Sequence, residues 1–396
     1  PELPLILFIA RPDGVALKPV NVGAIPAEGG LEVEVESAGE TVTVISGVIP
    51  DLELPPGPAA TVRGRSERDQ RAPVSLVQTI ENIPGTGHSG TGHGMVPSLR
   101  GLPKHRTLII LDGGRVTTER RAGPSASFLD PDSVEEIEVI RGPGSVAYGS
   151  DAFGGIIRAR SRTPDPQGAP ELRYTLLGGV GIPELGAAAE VSSPGLGGAL
   201  LVGGQWRRYD DYDSPEGEID NSGAELGGFR AGDRANLGSG VLRIGWRSDL
   251  GSDIGKPAPD SQEERVYYSQ DDSHRFDLGF ESPGPGNWNR LAVTVFWDDY
   301  RLVLDKDRFA TAEELRRLRV GDTSANDYGL RLEAERPLGM VRLVFGADLA
   351  GRMNLHAVNS TTFFDSAGNE TESSSEVSID DALRHDLGIF AAVNRD

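Results

Sequence analysis

Between Ile83 and Pro124 six cationic side chains, Arg100, Lys104, Arg106, Arg115, Arg120 and Arg121, stand against two acids, Asp112 and Glu119. The chain as a whole is strongly acidic: over 396 residues, 60 Asp and Glu against 39 Lys and Arg leave a formal charge of −21. That balance excludes a nucleic-acid binder driven by bulk charge, and a local positive patch kept within it suits an anionic ligand. His88 and His93 share the stretch and can add hydrogen bonds or coordinate a metal or haem iron. The competing reading is that polar side chains simply keep glycine-rich loops soluble.

Other candidate chemistry falls away. Gly85-Thr86-Gly87-His88-Ser89-Gly90 spells a dinucleotide fingerprint. Such a loop must follow a strand and open a helix whose N-terminus holds the pyrophosphate; here a helix-like stretch precedes it and more glycine loop follows. Ser89 is one residue short of a Gly-x-Ser-x-Gly elbow, and no other Ser, His and Asp set forms a catalytic constellation, so the chain does not read as an enzyme. Zero cysteines exclude disulfides, Cys-ligated zinc and thiol catalysis. Asp210, Asp211, Asp213, Glu216, Glu218 and Asp220 could bind calcium but lack an EF-hand's spacing, and read as a solvated loop. No cofactor or metal site is expected.

The elements that must position the cationic stretch come in four parts. Residues 1–36 read as part of a small β unit, because Leu31, Val33 and Val35 alternate with Glu32, Glu34 and Glu36. Residues 37–60 carry the proline-rich run Pro50 to Pro58, an extended linker. Residues 61–168 form a compact mixed α/β unit: a helix-like Val74–Ile83, the loop Gly85–Gly94, the strand Thr107–Leu111 closed by Asp112-Gly113-Gly114, and a second strand from Val134 to Ile140. From 169 to 396 the pattern alternates: Leu242, Ile244 and Trp246 with Arg243, Gly245 and Arg247; Phe276, Leu278 and Phe280 with Arg275, Asp277 and Gly279. Each such strand has an apolar and a polar face, as in an outer-membrane barrel with lipid outside and a polar lumen, or in a soluble sandwich or propeller. Long connections at 210–236 and 250–264 against a tight turn at 282–287 favour the barrel, as do Trp206, Tyr209, Tyr212, Trp297 and Tyr300, read as an interfacial girdle. No apolar run approaches the ~18 residues of a membrane helix.

Five ordered blocks then carry a family resemblance. Glu81-Asn82-Ile83-Pro84-Gly85, Leu99-Arg100-Gly101-Leu102, Leu108 to Gly113, Ile137 to Pro143, and Tyr148-Gly149 with Gly154-Gly155-Ile156-Ile157 resemble, in order and spacing, the plug domain of TonB-dependent outer-membrane receptors. The resemblance implies a mainly β fold, a mixed α/β plug followed by an antiparallel transmembrane barrel of 22 strands in the family. Such a barrel needs on the order of 400 residues or more with loops, and the chain closes on Asn394-Arg395-Asp396 where the family ends on an aromatic, so a fragment is expected. The opening Pro1-Glu2-Leu3-Pro4 lacks Met, so a signal peptide is expected to be removed or upstream.

The same resemblance assigns roles. Glu40-Thr41-Val42-Thr43-Val44 looks like the box that pairs by strand addition with a TonB-type periplasmic energy-coupling protein; the plainer reading is one more strand of the first unit. His88, His93, Lys104, His105, Arg106, Arg120 and Arg121 would lie on outward plug apices as the floor of a site for a small anionic ligand such as a ferric siderophore or haem. Arg100 and Arg141 match the arginines that anchor the plug to barrel glutamates, with Glu333 and Glu335 as candidate partners. The implied location is the bacterial outer membrane, with lipid around the barrel, no nucleic acid, and energy-coupled uptake of a scarce solute. The alternatives are a plugged barrel that transduces a signal or binds passively, and a soluble β-rich adhesin.

Overall fold

The computed structural model describes residues 5–7, 20–22, 59–65, 73, 75–116, 129–142, 152–179, 184–195, 197–215, 217–257, 263–311 and 314–395. The Leu31–Glu36 strand, the Glu40–Val44 box and most of the proline-rich linker lie outside them. Residues 1–45 are one compact unit, in which β1 (Leu5–Leu7) and β2 (Val20–Val22) pair antiparallel.

Residues 46–396 are the second unit. Its first part is a mixed sheet in the order β3 (Ala59–Gly64), β9 (Val134–Arg141), β10 (Gly155–Ser161), β7 (Thr107–Leu111), β8 (Gly114–Arg115), with β7 and β10 parallel. Two residues of the expected linker, Ala59 and Ala60, are therefore already in a strand of this sheet. The continuous apolar run of β7 follows from cover on both faces. Ile109 and Leu111 pack with Ile157, Val139 and the short helix α1 (Leu76–Ile80). Leu108 and Ile110 face the other way, with Ile140 and Ile156 against Val344 and Phe390 of the barrel wall. α1 is shorter than the sequence suggests, and Ser75 caps it, its Oγ accepting from Gln78 N at 3.2 Å. Gly154 and Gly155 sit where β10 enters the sheet: a Cβ on Gly155 would lie 2.3 Å from Ile140 O, and φ is +148°, so only glycine fits.

Then come ten strands in one antiparallel sheet, paired in chain order: β11 (Glu171–Gly179), β12 (Glu184–Gly195), β13 (Gly198–Tyr209), β16 (Ala224–Leu237), β17 (Gly240–Ser252), β19 (Glu264–Ser282), β20 (Arg290–Thr311), β21 (Glu314–Leu338), β22 (Val341–Phe364) and β23 (Glu370–Arg395). Among the described residues β11 and β23 are its two edges. The end where the plug leads into β11 also holds the turns 196–197, 238–239, 283–289 and 339–340; the opposite end holds 210–223 and 253–263. That asymmetry of short periplasmic turns and longer outer loops is the barrel signature. The long connections are shorter than read from sequence, because 224–236 is strand β16, and a small hairpin, β14 (Tyr212–Ser214) with β15 (Gly217–Ile219), folds within the first of them. Asp211 braces that loop by accepting from the backbone N–H of Asn221, Ser222 and Gly223 at 3.0, 2.7 and 2.7 Å.

The alternation resolves as lipid-type outside and polar inside. Trp246, Phe276, Trp297 and Tyr328 stand directly opposite one another across four strands on the outer face. Trp246, Phe276 and Trp297 are each more than 40% exposed. Tyr209 and Tyr300, expected in a girdle, instead point inward and are buried with Ile254, Tyr268 and Leu302. Many inward glycines face a long side chain on the neighbouring strand: Gly279 lies opposite Arg243 and Gly245 opposite Asp277, each leaving room for a charge to lie flat on the wall. The ladders of β21, β22 and β23 slip register between Ser324 and Asn326 and again between Arg352 and Val358, with Asn354 and Asp381 at positive φ.

The outer row generates a direct expectation. In a variant retaining Trp297 as its single tryptophan, reconstituted in vesicles, lipids brominated near the headgroup should quench its fluorescence more than aqueous acrylamide does; the reverse order would place that face in water.

Candidate functional site

The geometry that organises the molecule is a row of charges on the inner face of the sheet. Arg230, Arg247, Arg275, Asp298, Asp327 and Arg352 occupy successive strands from β16 to β22 and lie directly opposite one another in register. All six are buried. At one end of the row Arg352 and Asp327 form a two-pronged pair at 2.6 and 2.7 Å, and Asp298 accepts from Ser273 at 2.7 Å. The three arginines at the other end reach into the plug. Arg230 donates to the carbonyl of Ser133. Arg247 donates to Ser133 Oγ at 2.7 Å and to Asp249 at 2.8 Å. Arg275 donates to the carbonyls of Leu111 and Arg115, each at 3.2 Å, and its guanidinium lies 4.3 Å from the centroid of the Phe296 ring. Gly114 makes this approach feasible, since a Cβ there would meet Arg275 Nη2 at 1.9 Å.

A fourth wall arginine closes the grip. Arg207 on β13 holds Asp130 through two nitrogens, at 2.5 and 3.1 Å, and also reaches Asp132 at 2.9 Å. Asp130 in turn accepts from Asp132 N at 2.7 Å, capping the 3₁₀ turn Pro131–Ser133 that offers the Ser133 acceptors. Where the plug leads into the barrel, Arg162 pairs with Glu190 and, at 2.6 Å, with Glu171. The turn after β7 is fixed from within: Asp112 and Gly113 both take positive φ, the two-residue hairpin geometry, and Asp112 accepts from Ser161 N and Oγ at 2.7 and 2.6 Å.

At the loop end the plug touches the wall again. The stretch expected as a loop forms β4 (Thr86–Ser89), paired with β5 (Val96–Leu99), which pairs in turn with β6 (Leu102–Pro103). The dinucleotide-like spacing thus lies on a strand and its flanks and opens no helix. Between β4 and β5 His93 stacks on Tyr209, ring centroids 3.9 Å apart, while Thr91 Oγ1 donates to Pro257 O at 3.2 Å. A Cβ on Gly92 would lie 2.9 Å from Pro257 Cδ, so the segment fits closely under the outer loop. Burial lowers the His93 pKa to about 4, which leaves the ring neutral at pH 7.

The expected site residues separate. His88, Lys104 and Arg106 are exposed, and could meet a ligand. His93 is committed to Tyr209. The side chain of His105, and Arg120 and Arg121 entirely, lie outside the described residues. Arg141 binds within the plug, donating to Pro84 O and Thr61 Oγ1, each at 3.1 Å. Arg100 is exposed at positive φ and forms no ion pair among the described residues. Glu333 is taken by Arg290 and Arg331, at 3.0 and 2.7 Å. The observed grip therefore runs from wall arginines to plug acceptors. Sequence reading placed Arg247 and Arg275 on the polar face without giving them this role and did not single out Arg207 or Arg230; the available signal was arginine at inward positions of consecutive strands.

A mixed α/β domain held by buried charges against the polar face of a lipid-faced antiparallel sheet defines an internally plugged outer-membrane β-barrel. The TonB-dependent receptor plug domain family matches residues 56–156. That match covers about a quarter of the chain and, with this fold, marks residues 56–156 as a plug domain of the TonB-dependent receptor kind. A vitamin B12 transporter of Vibrio vulnificus is 28% identical over 33% of this chain and 22% of its own length. A ferric enterobactin receptor of Pseudomonas aeruginosa is 29% identical over 48% and 29%. In fold, the chain is similar to a copper transporter, OprC, with TM-score 0.70 at 19% identity, covering 85% of this chain and 52% of that one. The chain thus spans less than a third of these curated relatives and about half of the solved chain.

Two outcomes are expected. Asp130→Asn leaves Arg207 buried and undercompensated, at a cost of about 3–5 kcal/mol; the urea concentration at which protease cuts the plug should fall while the barrel stays folded. For His93, the undocked segment with its ordinary pKa of 6.5 binds more protons than the docked one wherever pH lies between 6.5 and about 4. Docking is therefore fully stable above 6.5 and weakens as pH falls through that window. An imidazole NMR titration of His93 should show a midpoint near 4, and His93→Gln should remove that part of the pH dependence.

Proposed function

We propose that the chain is the receptor of an energy-coupled uptake system for a scarce anionic solute, with an iron chelate, ferric siderophore or haem, as the leading cargo class. The observation that carries this reading is the polar seat of the plug. Along β13 to β19 the plug is held by hydrogen bonds and ion pairs to Arg207, Arg230, Arg247 and Arg275. Water can replace such bonds one at a time, so along these strands a pull exchanges polar contacts, while the apolar plug face of Leu108, Ile110, Ile140 and Ile156 must also part from Val344 and Phe390. The energy would come through a TonB-type periplasmic partner that adds a strand at Glu40, Thr41, Val42, Thr43 and Val44, where main-chain pairing matters more than side chains. The exposed cations Lys104 and Arg106, with His88, support an anionic cargo at the plug surface. The named relatives differ in cargo, cobalamin for one and ferric enterobactin for another, so the preference for an iron chelate rests on those cations. The reaction class is transport, and no covalent step is assigned.

The test is accumulation of labelled ferric siderophore, haem and cobalamin by cells carrying the complete gene, with and without a proton uncoupler. Uncoupler-sensitive uptake of one ligand is expected. Val42→Pro, which removes a main-chain donor from the box, should abolish accumulation and leave surface binding intact. Binding without energised accumulation in the unaltered protein would replace transport by passive binding or signalling. Absence of binding would move the cargo outside this panel.

A further inference from the structure

Past Tyr328 the outer face of β21 runs through Leu330, Leu332, Ala334, Arg336 and Leu338 to the short turn at 339–340, since alternate residues of a strand share a face. Leu332, Leu338 and Met340 of this stretch are exposed, and so is Arg336. A charge therefore stands in an apolar stripe. Its guanidinium carbon lies 5.9 Å from the centroid of the Trp288 ring, and Trp288 meets Phe345 edge-on, centroids 6.2 Å apart. The turn before β20 fixes that indole: a Cβ on Gly284 would lie 2.3 Å from Trp288 Cβ, so the chain closes tightly over it. Among the described residues no carboxylate pairs with Arg336.

Height tells which part of a membrane this group meets. Arg336 stands eight residues along β21 from Tyr328, about 27 Å of strand and roughly 20 Å of height at the usual barrel tilt. The apolar band of such a barrel is about 25 Å tall, so the aromatic row and Arg336 lie near its two edges. Hydrocarbon cannot solvate a guanidinium, and an arginine at that edge extends its charge to the headgroups while an indole settles beside it. The loop-side edge is built differently. There the outward arginines already hold acids, Arg208 with Asp210 at 3.0 Å and Arg301 with Asp322 at 2.8 Å, and the residues just above the aromatic row are Ser248, His274, Asp299 and Asn326.

We propose that Arg336, Trp288 and Phe345 form a headgroup site for a phospholipid of the turn-side leaflet: the guanidinium binds the lipid phosphate, and the two rings pack on the glycerol and the first acyl carbons. Phosphatidylglycerol, whose headgroup keeps a net negative charge, is favoured over phosphatidylcholine, whose own ammonium already answers its phosphate. The site rests on the membrane-facing wall and not on the uptake reading. Inorganic phosphate presents the same oxyanion without chains, and a competition arm separates the two.

The test is native mass spectrometry of the complete receptor in micelles doped with phosphatidylglycerol or phosphatidylcholine of equal chain length. Preferential retention of phosphatidylglycerol is expected, weakened about tenfold by Arg336→Gln, the loss of one charge-assisted bond, and less by Arg336→Lys. Arg301→Gln, whose arginine is already paired, should leave it unchanged. Equal retention of the two lipids by the unaltered receptor, or equal affinity in Arg336→Gln, would overturn the site, and displacement by inorganic phosphate would assign it to a free anion instead. A second readout needs no affinity: with Trp288 as the single tryptophan in vesicles, brominated phosphatidylglycerol should quench more than identically brominated phosphatidylcholine, and Arg336→Gln should abolish the difference. A difference that survives Arg336→Gln would remove the arginine from the site.

Discussion

Three guanidiniums side by side on adjacent strands are the constraint from which the rest of the molecule follows. Arg230, Arg247 and Arg275 are register partners, so their backbones are only about 4.8 Å apart. Like charges directly opposite in a sheet repel, and burial strengthens that repulsion. Wall acids relieve part of it, through Glu190 beside Arg230 and Asp249 beside Arg247. Other donors of these arginines go to the plug, through Ser133, Leu111 and Arg115, while the buried Nε of Arg275 has no hydrogen-bond partner. The wall is therefore electrostatically incomplete without its plug, and the plug's acceptors are placed by turns that the wall arginines hold. A buried ion pair of this kind is weak evidence of net stability, whereas removing one partner leaves an uncompensated buried charge.

Much of this was legible in the chain. Leu242, Ile244 and Trp246 alternate with Arg243, Gly245 and Arg247, and the structure puts Ile244 and Trp246 outside and Arg247 inside. The uninterrupted apolar run of Thr107–Leu111 announced a strand covered on both faces, and Asp112-Gly113 announced its hairpin turn. Gly154 and Gly155, prominent in the family blocks, are needed where β10 squeezes past Leu99 and Ile140.

What stayed hidden is height and partnership. Two-residue periodicity says which face a side chain takes but not which residue on the next strand it meets; that depends on turn lengths and bulges, so the charged row could not be assembled from sequence. Tyr209 and Tyr300 failed as girdle residues for a related reason: aromatic character and proximity to a strand end do not fix parity, and both fall on the inner face. The Gly85–Gly94 segment looked like loop because glycine is poor in strands, yet cross-strand pairing with Val96–Leu99 stabilises β4. His93 resembled a ligand and became a packing residue, since a neutral imidazole stacks on tyrosine at little cost once buried.

Strands β20 to β23 run for 22 to 26 residues, whereas about 9–11 suffice to cross a bilayer. The extra length stands beyond the part that a bilayer requires. The slips in register at Ser324 to Asn326 and from Arg352 to Val358 fall just beyond Asp327 and Arg352, between the distal hairpin and the charged row. Bulges bend and locally uncouple a ladder. Here they interrupt the ladder between the distal hairpin and the row of guanidiniums that holds the plug.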